Sequence, residues 1–442
     1  MLKAVMPYDI ILGRDKSDKK KFGSRGLIYL GKGYVTMGQH TSLSNNLFMD
    51  VARSHVVLIA GKRGSGKSYT IGVMAEELAG LPSEESRNIA SIIFDTMGIF
   101  WTMKFENDKD SLLLKSWNLK PRKLPVKVLA PLGKVEEYRK KGIPIDSPFA
   151  LKPDELDAED WILTFNLSVT SPPGTLIQNI ISKLKDSGED FDIEEIRREA
   201  EKDKESSRET KNTVLALFNA ASTWGIFASG NQEAVSISDL ITPGSTTVID
   251  LSVYSSVGSF NVRGLVIGLV SRKLFKERID ARKKEEIQSI QHGLEYMSYN
   301  PAREVPLIWI FIDEAHEFLP KTGKTPATDS LVQILREGRQ PGISMVLATQ
   351  QPGQIHRDVM TQSDIILSHR VTSQPDIESL NQIMQTYLLE SIKQKLDGLP
   401  RIKGSAIILD DNSERIYPMR IRPRFTWHGG EAPTAVKAEI EF

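Results

Sequence analysis

The chain has 442 residues, room for roughly two to four domains and a large buried core, so its length admits an enzyme. Lys plus Arg (57) balances Asp plus Glu (57), which excludes a polycation whose whole surface holds nucleic acid while leaving room for a local basic channel. Zero cysteines exclude a disulfide scaffold, a thiolate metal site and a cysteine nucleophile together, and 40% hydrophobic with 26% charged residues describes a globular chain.

In chain order, the first residues mix Asp9, Arg14, Asp15 and a lysine run from Lys19 before any long apolar stretch, so they lack the core of a signal peptide. A location inside the cell is expected. The segment before Val51 is expected to be short and β-rich. Short β-branched runs then recur at Val56–Ala60, Ala90–Asp95, Val126–Ala130, Thr246–Leu251, Leu307–Ile312, Ile343–Thr349 and Asp364–Val371, separated by helical stretches. Runs that are apolar on both faces and alternate with helices predict an α/β fold built on a mostly parallel sheet covered on two sides. The apolar run Leu307–Ile312 is far below the ~18–20 residues that span a bilayer.

Between about 150 and 231 no strand pattern stands out, and charges of both signs interleave at helical spacing, which predicts an inserted helical subdomain with a solvated face. The stretch Lys283–Glu304, with Gly293, Tyr296, Tyr299 and Pro301, is expected as a loop. Ser405–Asp410 and Arg415–Ile421 flank the turn-like cluster Asp411, Asn412, Ser413 and are expected to pair as a hairpin at the sheet edge. The expected division is a core of residues 51–149 and 232–425, the helical insertion 150–231 and a tail 426–442.

Chemistry begins at Gly61, Lys62, Arg63, Gly64, Ser65, Gly66, Lys67 and Ser68, a P-loop pattern that follows one strand and opens the helical run beginning at Tyr69. The glycines let backbone amides wrap phosphates, and the positive helix end adds to the attraction. These eight residues and Tyr69 are the expected nucleotide-binding set, with Lys67 on the β and γ phosphates and Ser68 on magnesium. The apolar strand Leu307–Ile312 ends in Asp313 and Glu314, expected as magnesium support and as the base that polarises the attacking water. Asp313-Glu314-Ala315-His316 also spells the box of a helicase superfamily with two tandem ATPase cores. One P-loop and one sheet leave no room for a second core, and His316 is expected as a packed rather than a catalytic histidine. Gln350 closes the strand Ile343–Thr349 and is the expected γ-phosphate sensor. Arg336 and Arg339, near a helix end, read from the residues alone as surface charges pairing with Glu337.

The P-loop, the Asp313-Glu314-Ala315-His316 element, Arg336-Glu337-Gly338-Arg339 with Pro341-Gly342, Ala348-Thr349-Gln350-Gln351-Pro352 and the ending Arg422-Pro423-Arg424-Phe425-Thr426-Trp427-His428-Gly429-Gly430 occur in an order that resembles the HerA branch of the HerA and FtsK superfamily. The resemblance covers roughly residues 51–149 and 232–430. It implies a RecA-like P-loop ATPase core that uses ATP and Mg2+, assembles as a hexameric ring and translocates or unwinds DNA. It implies catalytic roles for Lys67, Glu314, Gln350 and Arg339, the last as an arginine finger in a neighbour's site, with Ser68 and Asp313 on the metal. It also implies a nuclease partner of the NurA type, docked in that family through a β-barrel in place of which only fifty residues precede Val51 here. Lysines Lys321 and Lys324, in the loop after the acidic pair, are the expected DNA contacts. Two other classes stay open from the residues: a nucleotide-dependent switch or scaffold in a repair or defence complex, and a pump ATPase of the secretion or conjugation type.

Overall fold

A computed structural model describes residues 8–37, 40–228, 235–255, 261–292, 303–384 and 392–430. Its strands are β1 (Ile10–Leu12), β2 (Leu27–Met37), β3 (His40–Asp50), β4 (Val56–Ala60), β5 (Ile89–Asp95), β6 (Val126–Pro131), β7 (Ser147–Phe149), β8 (Thr246–Asp250), β9 (Leu307–Ile312), β10 (Ile343–Thr349), β11 (Ile365–His369), β12 (Ser405–Asp410) and β13 (Arg415–Ile421). They form one sheet in the order β1-β3-β2-β13-β12-β11-β4-β10-β9-β5-β8-β6-β7. From β11 to β7 every pairing is parallel, whereas β11-β12, β12-β13, β13-β2 and β2-β3 are antiparallel.

The period of two decides which side each residue faces. Leu58, Ala60, Ile310, Ile312 and Leu347 join the core on one face, and Val57, Ile59, Trp309, Phe311 and Val346 join the core on the other. Each fully buried Ile or Leu there contributes about 1.5–3 kcal/mol, which is why the central strands β4, β10, β9 and β5 carry no charged side chain before their last residue. The helix Lys67–Ala79 covers the second face through Ile71, Val73, Met74 and Leu78. The first face is covered by the helices Pro172–Asp186, Arg208–Ser222, Val262–His292 and Thr328–Glu337. Trp161 anchors the helical stretch, with its ring 5.0 Å from that of Phe218 and 5.7 Å from that of Phe165. Its apolar side chains belong to the same continuous core as Phe94 and Leu129.

Two expectations are corrected. The β12–β13 hairpin does not lie at the sheet edge, because β13 pairs onward with β2 at Met419↔Gly33 and the first fifty residues extend the sheet beyond it. The sheet ends instead in the three-residue strands β1 and β7, the latter broken by Pro148, and short or proline-bearing edges resist pairing with other chains. The stretch from Lys283 to His292 is helical and not a loop, since the helix that begins at Val262 continues to His292. It is held there by pairs such as Arg282–Glu286, and by the buried Arg278, which bonds Glu285 and the carbonyls of Val305 and Pro341. Residues 293–302 of that stretch, with Gly293, Tyr296, Tyr299 and Pro301, lie outside the described residues, as does the tail beyond residue 430.

An ion cluster joins the first fifty residues to the core. Both ring nitrogens of His55 face carboxylates, Asp364 at 2.6 Å and Asp50 at 3.2 Å, and Asp50 also accepts from Arg14 Nε at 2.7 Å. Burial works to lower the His55 pKa, but the hydrogen bonds and charges of Asp364 and Asp50 outweigh it and raise the group to about 9. Gly13, at φ +73°, lets the chain turn against the His55 ring, where a Cβ would stand 2.7 Å from Cε1.

Candidate functional site

The loop after β4 leaves the sheet at the C-terminal ends of the parallel strands, the edge where α/β folds bind ligands. Gly61 N–H donates to Thr349 O and Lys62 N–H to Arg370 O, so the loop is tied to both neighbouring strands. Gly64 at φ +73° and Gly66 at φ +117° make the two left-handed bends that an L side chain resists, and Lys67 begins the helix. Beneath the loop lies His369, fully buried. Its Nδ1 donates to Ser405 O at 3.2 Å, its Nε2 stands 2.9 Å from Thr70 Oγ1, and burial holds it neutral with a pKa near 4. A Cβ at Gly61 would come within 2.8 Å of His369 Cβ, so the histidine sets the floor of the loop.

Lys67 is buried, and its Nζ reaches Lys62 O at 3.4 Å. Ser68 Oγ donates to Asp313 Oδ2 at 2.5 Å, which brings together the two residues expected on magnesium. The pair fits that ion. Both donors are hard oxygens, the kind Mg2+ takes. Glu314 adopts left-handed backbone at φ +52°, and its carboxyl accepts from the Gln350 backbone N–H. Burial first, then the charge of Asp313, raise Glu314 to about 7 while Lys67 opposes the shift. Its Oε2 is buried without a hydrogen bond, 3.6 Å from His316 Nδ1. His316 itself is held at 3.2 Å by Thr349 Oγ1, and burial lowers its pKa. P-loop, Asp313, Glu314 and Gln350 thus converge on one edge of the sheet.

Arg339 lies elsewhere. It stands four residues before β10 begins, at the edge opposite the P-loop, where it is exposed and lines a cavity of about 590 Å³ with Phe275, Ile279, Arg282 and Pro341. Arg278, through Pro341 O, fixes the turn that presents it. Arg336 pairs with Asp358 at 2.6 Å, not with Glu337 as the sequence suggests, because the helix Arg357–Gln362 brings Asp358 alongside. Lys321 and Lys324 are exposed in the loop after β9, and Lys324 is paired with Asp329 at 2.8 Å.

Sequence reasoning missed three features. His369 is one. A second is the pair Asp95 and Asp250, opposite each other at the ends of β5 and β8 and both fully buried. Asp95 accepts from Met97, Gly98 and Phe100 N–H groups, yet burial and the charge of Asp250 raise it to about 8. The third is the segment Arg422–Gly430, which crosses the outer face of the helix Lys67–Ala79. Glu76, fully buried on that helix, accepts from Arg422 Nη1 (2.8 Å), Arg424 Nε (3.3 Å) and the Phe425 and Thr426 N–H groups. Burial pushes the Glu76 pKa up, but the two arginines win and hold it below the usual carboxylate range. Partners some 350 residues apart leave no local pattern, so only the excess of arginine in the ending hinted at them.

The sequence profile of the family described as "Helicase HerA, central domain" matches residues 35–267, and that of "Zonular occludens toxin (Zot)" matches residues 256–374. The chain is 27% identical over 183 residues to the "DNA double-strand break repair helicase HerA" of Pyrococcus furiosus, a stretch covering 38% of this chain and 31% of that protein. It is 25% identical over 185 residues to the "Probable DNA double-strand break repair helicase HerA" of Methanocaldococcus jannaschii, covering 38% and 37%. The match therefore spans about a third of each relative's length. Among solved structures, VirB4 of Thermoanaerobacter pseudethanolicus superposes with a TM-score of 0.54 at 13% identity, covering 90% of this chain and 96% of that one. The bacterial conjugative coupling protein TrwB superposes at 0.51 and 13% identity, covering 87% and 90%. These two establish the fold, that of the RecA-like P-loop ATPases.

Proposed function

The chain belongs to the family of the HerA helicase central domain, and from that premise we propose that it is a magnesium-dependent ATPase that works as a ring motor, translocating or unwinding DNA. The observation that carries the reading is the Ser68–Asp313 contact at 2.5 Å beside the buried Lys67 and the partly buried Glu314. Lys67 binds the β and γ phosphates. Ser68 and Asp313 would hold magnesium, which would supply neutralisation of charge on the leaving and transferred groups. Glu314, raised toward neutrality, takes a proton from the attacking water, and Gln350 orients that water against the γ phosphate. DNA is the proposed track, as the names of the HerA relatives support, and a hexamer is the proposed assembly. Residues 51–149 and 232–425 are the proposed motor core, with 150–231 inserted in it. Among the described residues no helix is long and apolar enough to cross a membrane.

The test is ATP turnover with magnesium, with and without long duplex DNA, for the native chain and Lys67→Ala. The native chain should hydrolyse ATP faster with DNA, and Lys67→Ala should not hydrolyse it at all. Equal turnover by the two chains refutes the P-loop assignment, and turnover indifferent to DNA favours a nucleotide-dependent switch.

A further inference from the structure

A nucleotide seated with its phosphates on the Gly61–Ser68 loop has few ways to lead its sugar and base out. The floor is filled by His369, whose ring lies 3.4 Å from where a Cβ on Gly66 would stand. Toward the centre of the sheet Lys67 is buried and the Ser68 hydroxyl is taken by Asp313. On the outer face of the first helical turn Tyr69, partly exposed, follows directly on Ser68. There the segment Arg422–Gly430 presents a second ring: His428 meets Tyr69 edge to face, centroids 5.1 Å apart at 82°.

Both rings are locked before any ligand arrives. The Arg424 N–H donates to Tyr69 OH at 2.6 Å, and Arg424 Nη1 donates to His428 Nδ1 at 3.2 Å. The neighbouring Trp427 N–H donates to Phe105 O at 2.8 Å, and Thr102 Oγ1 donates to Trp427 O at 3.1 Å. Burial, then the charge of Arg424, push the His428 pKa down to about 3, so its ring offers a neutral π face. The exposure along the segment is also graded: Arg422, Arg424 and Thr426 are fully buried, His428 is half-buried and Trp427 is 40% exposed. Rigid rings left half-open beside a phosphate loop suit a flat heterocycle, because binding then costs little further ordering.

We infer that Tyr69 and His428 form the seat of the nucleobase. The inference rests on the ATPase reading and extends it: the loop takes the phosphates, and a segment 355 residues beyond Tyr69 takes the base.

Calorimetric binding of two probes, ATP and inorganic tripolyphosphate, each with magnesium, separates the two parts. The chains compared are the native one, His428→Leu and His428→Phe, each checked for an unchanged thermal melt. Base stacking on an aromatic ring predicts that His428→Leu weakens ATP by about 5- to 100-fold and leaves tripolyphosphate within about twofold. His428→Phe keeps a ring and should restore ATP to within about threefold of the native value. If His428→Leu weakens both probes equally, or neither, the seat is wrong. The same holds if the native chain binds tripolyphosphate as tightly as ATP, an outcome that leaves the P-loop reading standing. A native chain that binds neither probe refutes the ATPase reading, and the seat with it.

Discussion

Arg339 cannot serve the P-loop of its own chain. Register places Thr349 beside Ala60 at the loop, and β10 runs back six residues to Ile343, about 20 Å at ~3.3 Å per residue. Arg339 lies four residues beyond that, farther than an arginine side chain can bridge. If it stabilises charge on a transferred phosphoryl group, the nucleotide belongs to a neighbour, and Arg339→Ala should lower turnover by about 10³–10⁵. In a ring of head-to-tail interfaces, mixing equal amounts of Arg339→Ala and Lys67→Ala chains puts an intact loop opposite an intact arginine at about a quarter of interfaces, whatever the ring size. Turnover should therefore recover from near zero in either parent to about a quarter of the native rate if sites act independently. The assay is steady-state ATP hydrolysis on mixed, differently tagged chains, with co-purification proving exchange. Mixed rings as inactive as their parents refute the reasoning.

Glu314→Gln should still bind ATP, because the loop and Asp313 remain, and lose at least about 10² in turnover; near-native turnover makes Glu314 a structural residue. Gly72→Ala should destabilise the fold by about 2 kcal/mol despite a better helix propensity, since the added Cβ would stand 2.5 Å from the guanidinium of Arg424, which is pinned on Glu76. Denaturant unfolding measures this, and a gain in stability refutes it. His55, raised to about 9 in the fold against 6.5 unfolded, contributes stability that is complete below pH 6.5 and lost as pH rises through 9, about 3 kcal/mol in all. Unfolding free energies that stay flat across pH 6–9 show that His55 is not charged between its two acids.

The strands were legible because fully buried parallel strands must be apolar on both faces, and Leu307–Ile312 and Ser405–Asp410 appear with the bounds their composition implies. The P-loop was legible because its glycines answer a local backbone demand. The position of the β12–β13 hairpin was not, since a strand carries no mark of whether another will pair on its far side. The charged end of the helix Val262–His292 read as a loop because its stability comes from ion pairs rather than from an apolar stripe. Of the site, what depends on sequence neighbours was visible. His369, Glu76 and the Asp95–Asp250 pair were hidden, being defined by what folds against them.

The strand β4 that leads into the phosphate loop is continuous in one sheet with the strands of the first fifty residues, through β11, β12, β13 and β2. A hydrogen-bonded sheet is stiff, and the clamp of Asp50 and Asp364 on His55 fastens a second point between the two ends. The N-terminal strands are thus not a module hung on a hinge but the far end of a single plank. Strain applied at that end passes into the same body that carries the phosphate loop, with no slack joint in between.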